Sequence, residues 1–133
     1  MGITNTTDFT NEIAANADPT LATTNLNKTY TIKTILNFWG SGDTVTALNT
    51  IYGYQRFDSS DAPIMIVHGT IDTTVPYTNA IELQDIYTST GANNILYTLE
   101  NRGHGPWNAT VNGKTLAELS FDFMVEQQSI VVE

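Results

Sequence analysis

The stretch Ala62-Pro-Ile-Met-Ile-Val-His-Gly-Thr-Ile-Asp72-Thr-Thr-Val-Pro76 decides how the rest of the chain is read. Ile64 to Val67 is a short unbroken apolar run, the pattern of a strand covered on both faces. A Gly-containing turn follows it and leads to a carboxylate, Asp72, with Pro76 stiffening the loop behind. A second segment repeats the plan. Asn94 to Leu99 reads as a strand, and Asn101-Arg-Gly-His104-Gly-Pro-Trp107 is the turn beyond it, carrying an imidazole instead of an acid.

Working outward, helical spacing alternates with strand composition. Between the two strands, Thr78 to Thr88 places Ala80, Ile81, Leu83 and Ile86 or Tyr87 on one helical face, with Gly91 as the stop signal. Upstream, Thr29 to Trp39 is β-rich and ends in the turn cluster Gly40-Ser41-Gly42-Asp43. Val45, Leu48 and Ile51 then predict a helix over Thr44 to Ile51, capped by Asp43 or Thr44. Downstream, Thr115 to Gln128 is amphipathic, with Leu116, Leu119, Phe123 and Val125 or Met124 inward. Residues 1–28 are polar and read as mostly irregular connection, and no linker splits the chain, so 1–133 is expected to be one domain. Strand, helix, strand, helix, strand, helix implies an α/β fold with a parallel sheet and right-handed crossovers.

That topology brings the two turns together. All strand C-termini of a parallel sheet lie along one edge, and ligands bind beyond it. If the Ile64 and Asn94 strands are neighbours, Asp72 and His104 reach the same rim. A carboxylate bonded to one imidazole nitrogen fixes the tautomer and leaves the other nitrogen as a general base. Gly103 and Gly105 suit a loop that must turn freely to aim the ring. A nucleophile is harder to find, since no Gly-x-Ser-x-Gly elbow occurs in the 133 residues. Ser41, between Gly40 and Gly42 at the end of the first strand, is the serine expected on the same edge; the other reading is a plain strand-to-helix turn. Trp39 and Trp107 are candidates to line a substrate cleft or to be buried aromatic anchors. His68 is read as structural, supporting the turn after its strand.

Composition removes other classes. Five Lys and Arg against fourteen Asp and Glu give a formal charge of −9, which disfavours nucleic acid and anionic membrane surfaces. There is no cysteine, and two histidines with separate roles make no metal set, so no metal and no cofactor are expected. A Gly-rich phosphate loop is absent. No apolar run approaches a membrane span, and the first residues lack a basic, apolar leader. The chain is therefore read as soluble without a signal peptide, its location undefined. Sequons at Asn5, Asn27 and Asn108 are read as chance in a Thr- and Asn-rich sequence.

The residues quoted resemble the C-terminal part of an α/β-hydrolase, especially esterases and lipases of the carboxylesterase and acetyl-esterase kind. His68-Gly69-x-x-Asp72-x-x-Val75-Pro76 is similar to that family's acid segment, and Gly103-His104-Gly105 to its histidine segment. Phe121-Asp122-Phe123 resembles the end of its last helix. The resemblance implies a truncated α/β-hydrolase of about three parallel strands flanked by helices, lacking the half that carries the nucleophile elbow. It implies an ester hydrolase with a serine nucleophile and a small ester substrate. Oligopeptidases of the same fold share both motifs, so amide substrates stay open, as does a non-catalytic remnant that needs a complementary N-terminal half. An exposed edge along residues 31–39, or the apolar faces beside it, is expected to drive self-association, most simply as a dimer.

Overall fold

The structure is a computed structural model, and it describes residues 6, 7, 10, 29–53 and 55–132. The expectation of irregular connection over 1–28 falls, apart from those first three positions, outside the described residues. A parallel sheet in the order β1-β2-β3 is built from β1 (Ile35–Phe38), β2 (Ile64–Gly69) and β3 (Asn94–Leu99). Helix α1 (Asp43–Tyr52) and helix α2 (Tyr77–Thr90) cross between them, and α3 (Leu116–Gln128) follows the sheet. The three parallel strands flanked by helices are those read from the sequence.

β2 is the reason the sheet holds. Every one of its six residues is buried, and successive side chains serve opposite faces. Ile64 and Ile66 pack with Phe57, Ala80, Leu83, Tyr87 and Ala92 on the α2 side. Met65 and Val67 pack with Trp39, Leu99, Leu116, Leu119 and Phe123 on the α3 side. Each such fully buried aliphatic side chain contributes about 1.5–3 kcal/mol. Both neighbours run parallel, with Ile35 opposite Ile64 and Ile64 opposite Asn94.

The helices show where the sequence was plain. α2 buries Ala80, Leu83 and Tyr87 and ends at Gly91, whose φ of 80° is the left-handed stop that a glycine takes without strain. α3 starts from a capping box: the Thr115 hydroxyl accepts from Glu118 N–H, and the Glu118 carboxylate accepts from Thr115 N–H. Leu116, Leu119 and Phe123 face inward as expected, joined by Ser120, whose hydroxyl donates to the Leu116 carbonyl.

Three expectations are corrected. The first strand is Ile35–Phe38, not Thr29 to Trp39, because its partner β2 begins only at Ile64 and Pro63 before it has no N–H to extend the ladder. The cap of α1 is Gly42 rather than Asp43 or Thr44, since the Gly42 carbonyl accepts the N–H groups of Val45 and Thr46. Ile51, counted on the helical face, is exposed. A hairpin outside those expectations is also present: β4 (Thr110–Val111) pairs antiparallel with β5 (Lys114–Thr115). Asn112 and Gly113 between them both have positive φ, and Asn-Gly is the usual sequence sign of such a two-residue turn.

Candidate active site

Asp72 and His104 lie 32 residues apart in the chain and meet at the C-terminal edge of the sheet. His104 Nδ1–H donates to Asp72 Oδ2 at 2.9 Å. The acid's side chain is fully buried, while the His104 ring is 44% exposed. One end of the pair is thus held in protein and the other open to a reactant, with Nε2 the imidazole nitrogen left for it.

The acid is fixed by its own turn. Asp72 Oδ1 accepts the backbone N–H groups of Thr74 at 2.8 Å and Val75 at 2.9 Å. Burial pushes the Asp72 carboxyl up, but the bonds from Val75 N–H, His104 and Thr74 N–H together outweigh it, and the group sits below the usual carboxylate range. It is therefore ionised at neutral pH, as an orienting acid must be.

The histidine loop is fixed by backbone contacts with the end of β2. Thr70 N–H donates to the Leu99 carbonyl, and Ile71 N–H to the Arg102 carbonyl at 3.1 Å. The Thr70 hydroxyl accepts from Asn101 N–H at 2.9 Å. Gly69 makes this approach possible, since a Cβ there would lie 2.2 Å from the Arg102 carbonyl oxygen. Of the two glycines flanking His104, only Gly105 takes a positive φ, 77°. Gly103 does not, so the freedom assigned to both belongs to one. Gly69 as the hinge of close approach was missed; its place directly after a buried apolar run was the available signal.

An aromatic group borders the imidazole. The Trp39 ring lies 6.1 Å from His104 and meets Trp107 edge-on at 4.6 Å, while Phe38 tilts against Trp107 at 5.0 Å. The two tryptophans differ in kind. Trp39 is buried in the core, and Trp107 is 66% exposed. Trp39 also holds a φ of 58°, a conformation bulky residues rarely take, at the point where β1 leaves the sheet.

Ser41 sits in the turn after β1, half-buried. Its Oγ accepts from Asp43 N–H at 3.4 Å, and no hydrogen bond joins it to His104. The Asn37 side chain binds the same turn by accepting Gly40 N–H at 2.8 Å. The three residues singled out from the sequence therefore divide: Asp72 and His104 are brought together, and Ser41 is left outside the bonded pair. His68 lies wholly buried on β2, with Nε2 2.9 Å from the Val75 carbonyl oxygen. Among the described residues no cluster of three or more His, Cys, Asp or Glu side chains is placed to hold a metal ion. No described helix is long and apolar enough to cross a membrane. Beyond the histidine loop, Thr98, Glu100, Arg102, Asn108, Thr110 and Asn112 help line an open, polar hollow of about 370 Å³.

Comparison with known proteins gives a family and a fold. The family model described as the prolyl oligopeptidase family matches residues 7–129. No curated protein sequence matches significantly. Among solved structures, a truncated form of a carbohydrate esterase from gut microbiota superposes with a TM-score of 0.61 at 20% identity, over 79% of this chain and 46% of that one. Esterase 2 of Thermogutta terrifontis superposes with a TM-score of 0.54 at 22% identity, over 77% and 44%. A propionate-bound form of the same esterase gives 0.54 at 19%, over 80% and 47%. Identities this low speak for the α/β-hydrolase fold alone, and the chain spans a little under half the length of the structures it matches.

Proposed function

The chain belongs to the prolyl oligopeptidase family, and on that premise we propose that it carries the acid–histidine relay of a serine-type hydrolase acting on small carboxylic esters. One observation carries this reading: a buried, ionised Asp72 bonded at 2.9 Å to an exposed imidazole at the strand edge where α/β folds bind ligands. Asp72 holds His104 in the Nδ1–H tautomer. His104 Nε2 takes the proton from a serine hydroxyl as its oxygen attacks the ester carbonyl carbon. Asp72 stabilises the imidazolium so formed, and that proton passes to the alkoxide as the ester C–O bond breaks; water, deprotonated by the same nitrogen, then releases the acid from the acyl-serine. Ser41 is the serine that the chain itself offers on this rim. Trp107, exposed and braced by Trp39 and Phe38, is the side chain available to contact an apolar substrate group. The test is hydrolysis of a short p-nitrophenyl ester by the purified chain. Activity lost in His104→Ala and after a serine-directed phosphonate supports the reading, and the mass of the phosphonate adduct names the serine. Activity that survives both treatments contradicts it.

A second reading is favoured by the Ser41 geometry, in which the hydroxyl serves Asp43 N–H and not His104. There the chain is not catalytic alone, and the nucleophile belongs to a separate complementary polypeptide. No turnover by the chain alone, with turnover on adding a segment bearing a Gly-x-Ser-x-Gly elbow, selects it. The family's description also supports peptide substrates, which a peptide p-nitroanilide assayed beside the ester distinguishes.

Self-association belongs to the same proposal. Among the described residues β1 pairs with β2 alone, and a second copy is proposed to lie along its other side. Light scattering at micromolar concentration should report a dimer, and a monomer contradicts this part.

A further inference from the structure

His68 is the buried titratable group that the relay leaves unexplained. It stands on β2 with the parity of Ile64 and Ile66, facing the α2 side, its side chain fully buried and its ring 6.0 Å from that of Tyr77. The Val75 carbonyl can only accept, so the 2.9 Å contact requires the proton on His68 Nε2. The same Nε2 lies 3.4 Å from Asp72 Oδ2, the carboxylate oxygen that takes the His104 bond. His68 Nδ1 has no partner although it is buried. An apolar side chain in this hole would avoid that unmatched atom. What the imidazole adds, at the expense of one stranded nitrogen, is the Nε2–H edge.

We propose that His68 is a positioning residue for the relay: its Nε2–H clamps the Val75 carbonyl, so that Val75 N–H stays on Asp72 Oδ1, and the ring edge lies beside Asp72 Oδ2. Val75 is held from both ends by this arrangement. Its N–H grips Asp72 Oδ1, and its carbonyl is tied to the central strand. The carboxylate plane is thereby held by backbone donors on Oδ1, with two imidazole rings beside Oδ2.

The inference rests on the proposed relay, and its test reads the pair rather than turnover. Imidazole nitrogen and proton spectra of the whole chain at neutral pH should show His68 protonated at Nε2 and bare at Nδ1. They should also show His104 with a slowly exchanging, downfield Nδ1–H. In His68→Phe or His68→Leu, whichever folds by circular dichroism, that His104 signal should broaden or vanish. In His68→Gln, whose amide N–H can replace Nε2–H, it should return. A His104 signal unchanged in the apolar variants overturns the positioning role while the relay stands. Loss in His68→Gln as well, with the fold intact, assigns the ring a packing role only and also overturns it. His68 protonated at Nδ1 in the unaltered chain overturns it without any variant. No His104 Nδ1–H signal in the unaltered chain points instead to failure of the relay reading itself.

Discussion

Two turns leave the same edge of the sheet and are built to different ends. After β2, the chain makes a corner in which the acid accepts backbone and imidazole donors, and the neighbouring loop is tied on by three consecutive residues, Thr70 to Asp72. After β1, the turn from Gly40 to Asp43 is braced from within: Asn37 holds Gly40 N–H, Ser41 holds Asp43 N–H, and Gly42 starts α1. A glycine-flanked polar residue at a strand end is thus not enough to mark a chemical group. What separates the two is where the side chain's bonds go. The β2 corner aims them at a second loop, and the β1 turn closes them locally.

The largest effect that would break this contrast is kinetic. His104→Ala should lower ester hydrolysis by about a thousandfold or more, given the size of general-base effects in such relays. Steady-state rates check it, and an unchanged rate would reduce the β2 corner to ordinary structure. Next is Gly69→Ala. Its Cβ has no room beside the Arg102 carbonyl, so the histidine loop must shift, with a loss of about 2–4 kcal/mol in urea unfolding and loss of the His104–Asp72 contact. A variant as stable as the parent would mean that the two loops are not locked.

A third effect is on acid stability. Asp72 ionises below its ordinary value of 3.8 in the folded chain, so the folded state binds that proton less readily than the unfolded state. Its stabilising contribution is complete above the ordinary value and is lost as pH falls through the lower, folded one. Asp72→Asn should be less stable than the parent near neutrality by about 1–3 kcal/mol, and the gap should close in acid; unfolding midpoints across pH read both. The smallest effect is expected on the other turn. Ser41→Ala should change stability by no more than about 0.5 kcal/mol. That makes its rate informative: a lost rate assigns Ser41 the attack, and a kept rate removes it from the site.

Much of this arrangement was legible in the residues. The unbroken run Ile64 to Val67 announced a strand with two covered faces, and Gly91 announced the end of α2, because both signals are local. The joint arrival of Asp72 and His104 at one rim followed from parallel topology alone. Less legible was whatever depended on a partner. The length of β1 is set by where β2 starts, which only the register shows. The cap of α1 passed from Asp43 or Thr44 to Gly42 because the first carbonyl in helical reach decides it, not the side chain best suited to capping. Ser41 looked available because its bond to Asp43 N–H has no sequence signature. Gly69 carries the closest approach in the site, and its role appears only when Arg102, far along the chain, is beside it. The Asn112-Gly113 turn carries a local signal of its own, an Asn-Gly pair between two short strands.

One bond decides whether the β2 corner is a relay, that between Asp72 Oδ2 and His104 Nδ1–H. Its most direct measurement is the nitrogen spectrum of the His104 ring at neutral pH, compared between the parent chain and Asp72→Asn. The ring should be protonated at Nδ1 with Nε2 free in the parent, and should lose that preference in the variant. A ring protonated mainly at Nε2, or a spectrum indifferent to Asp72, would contradict it.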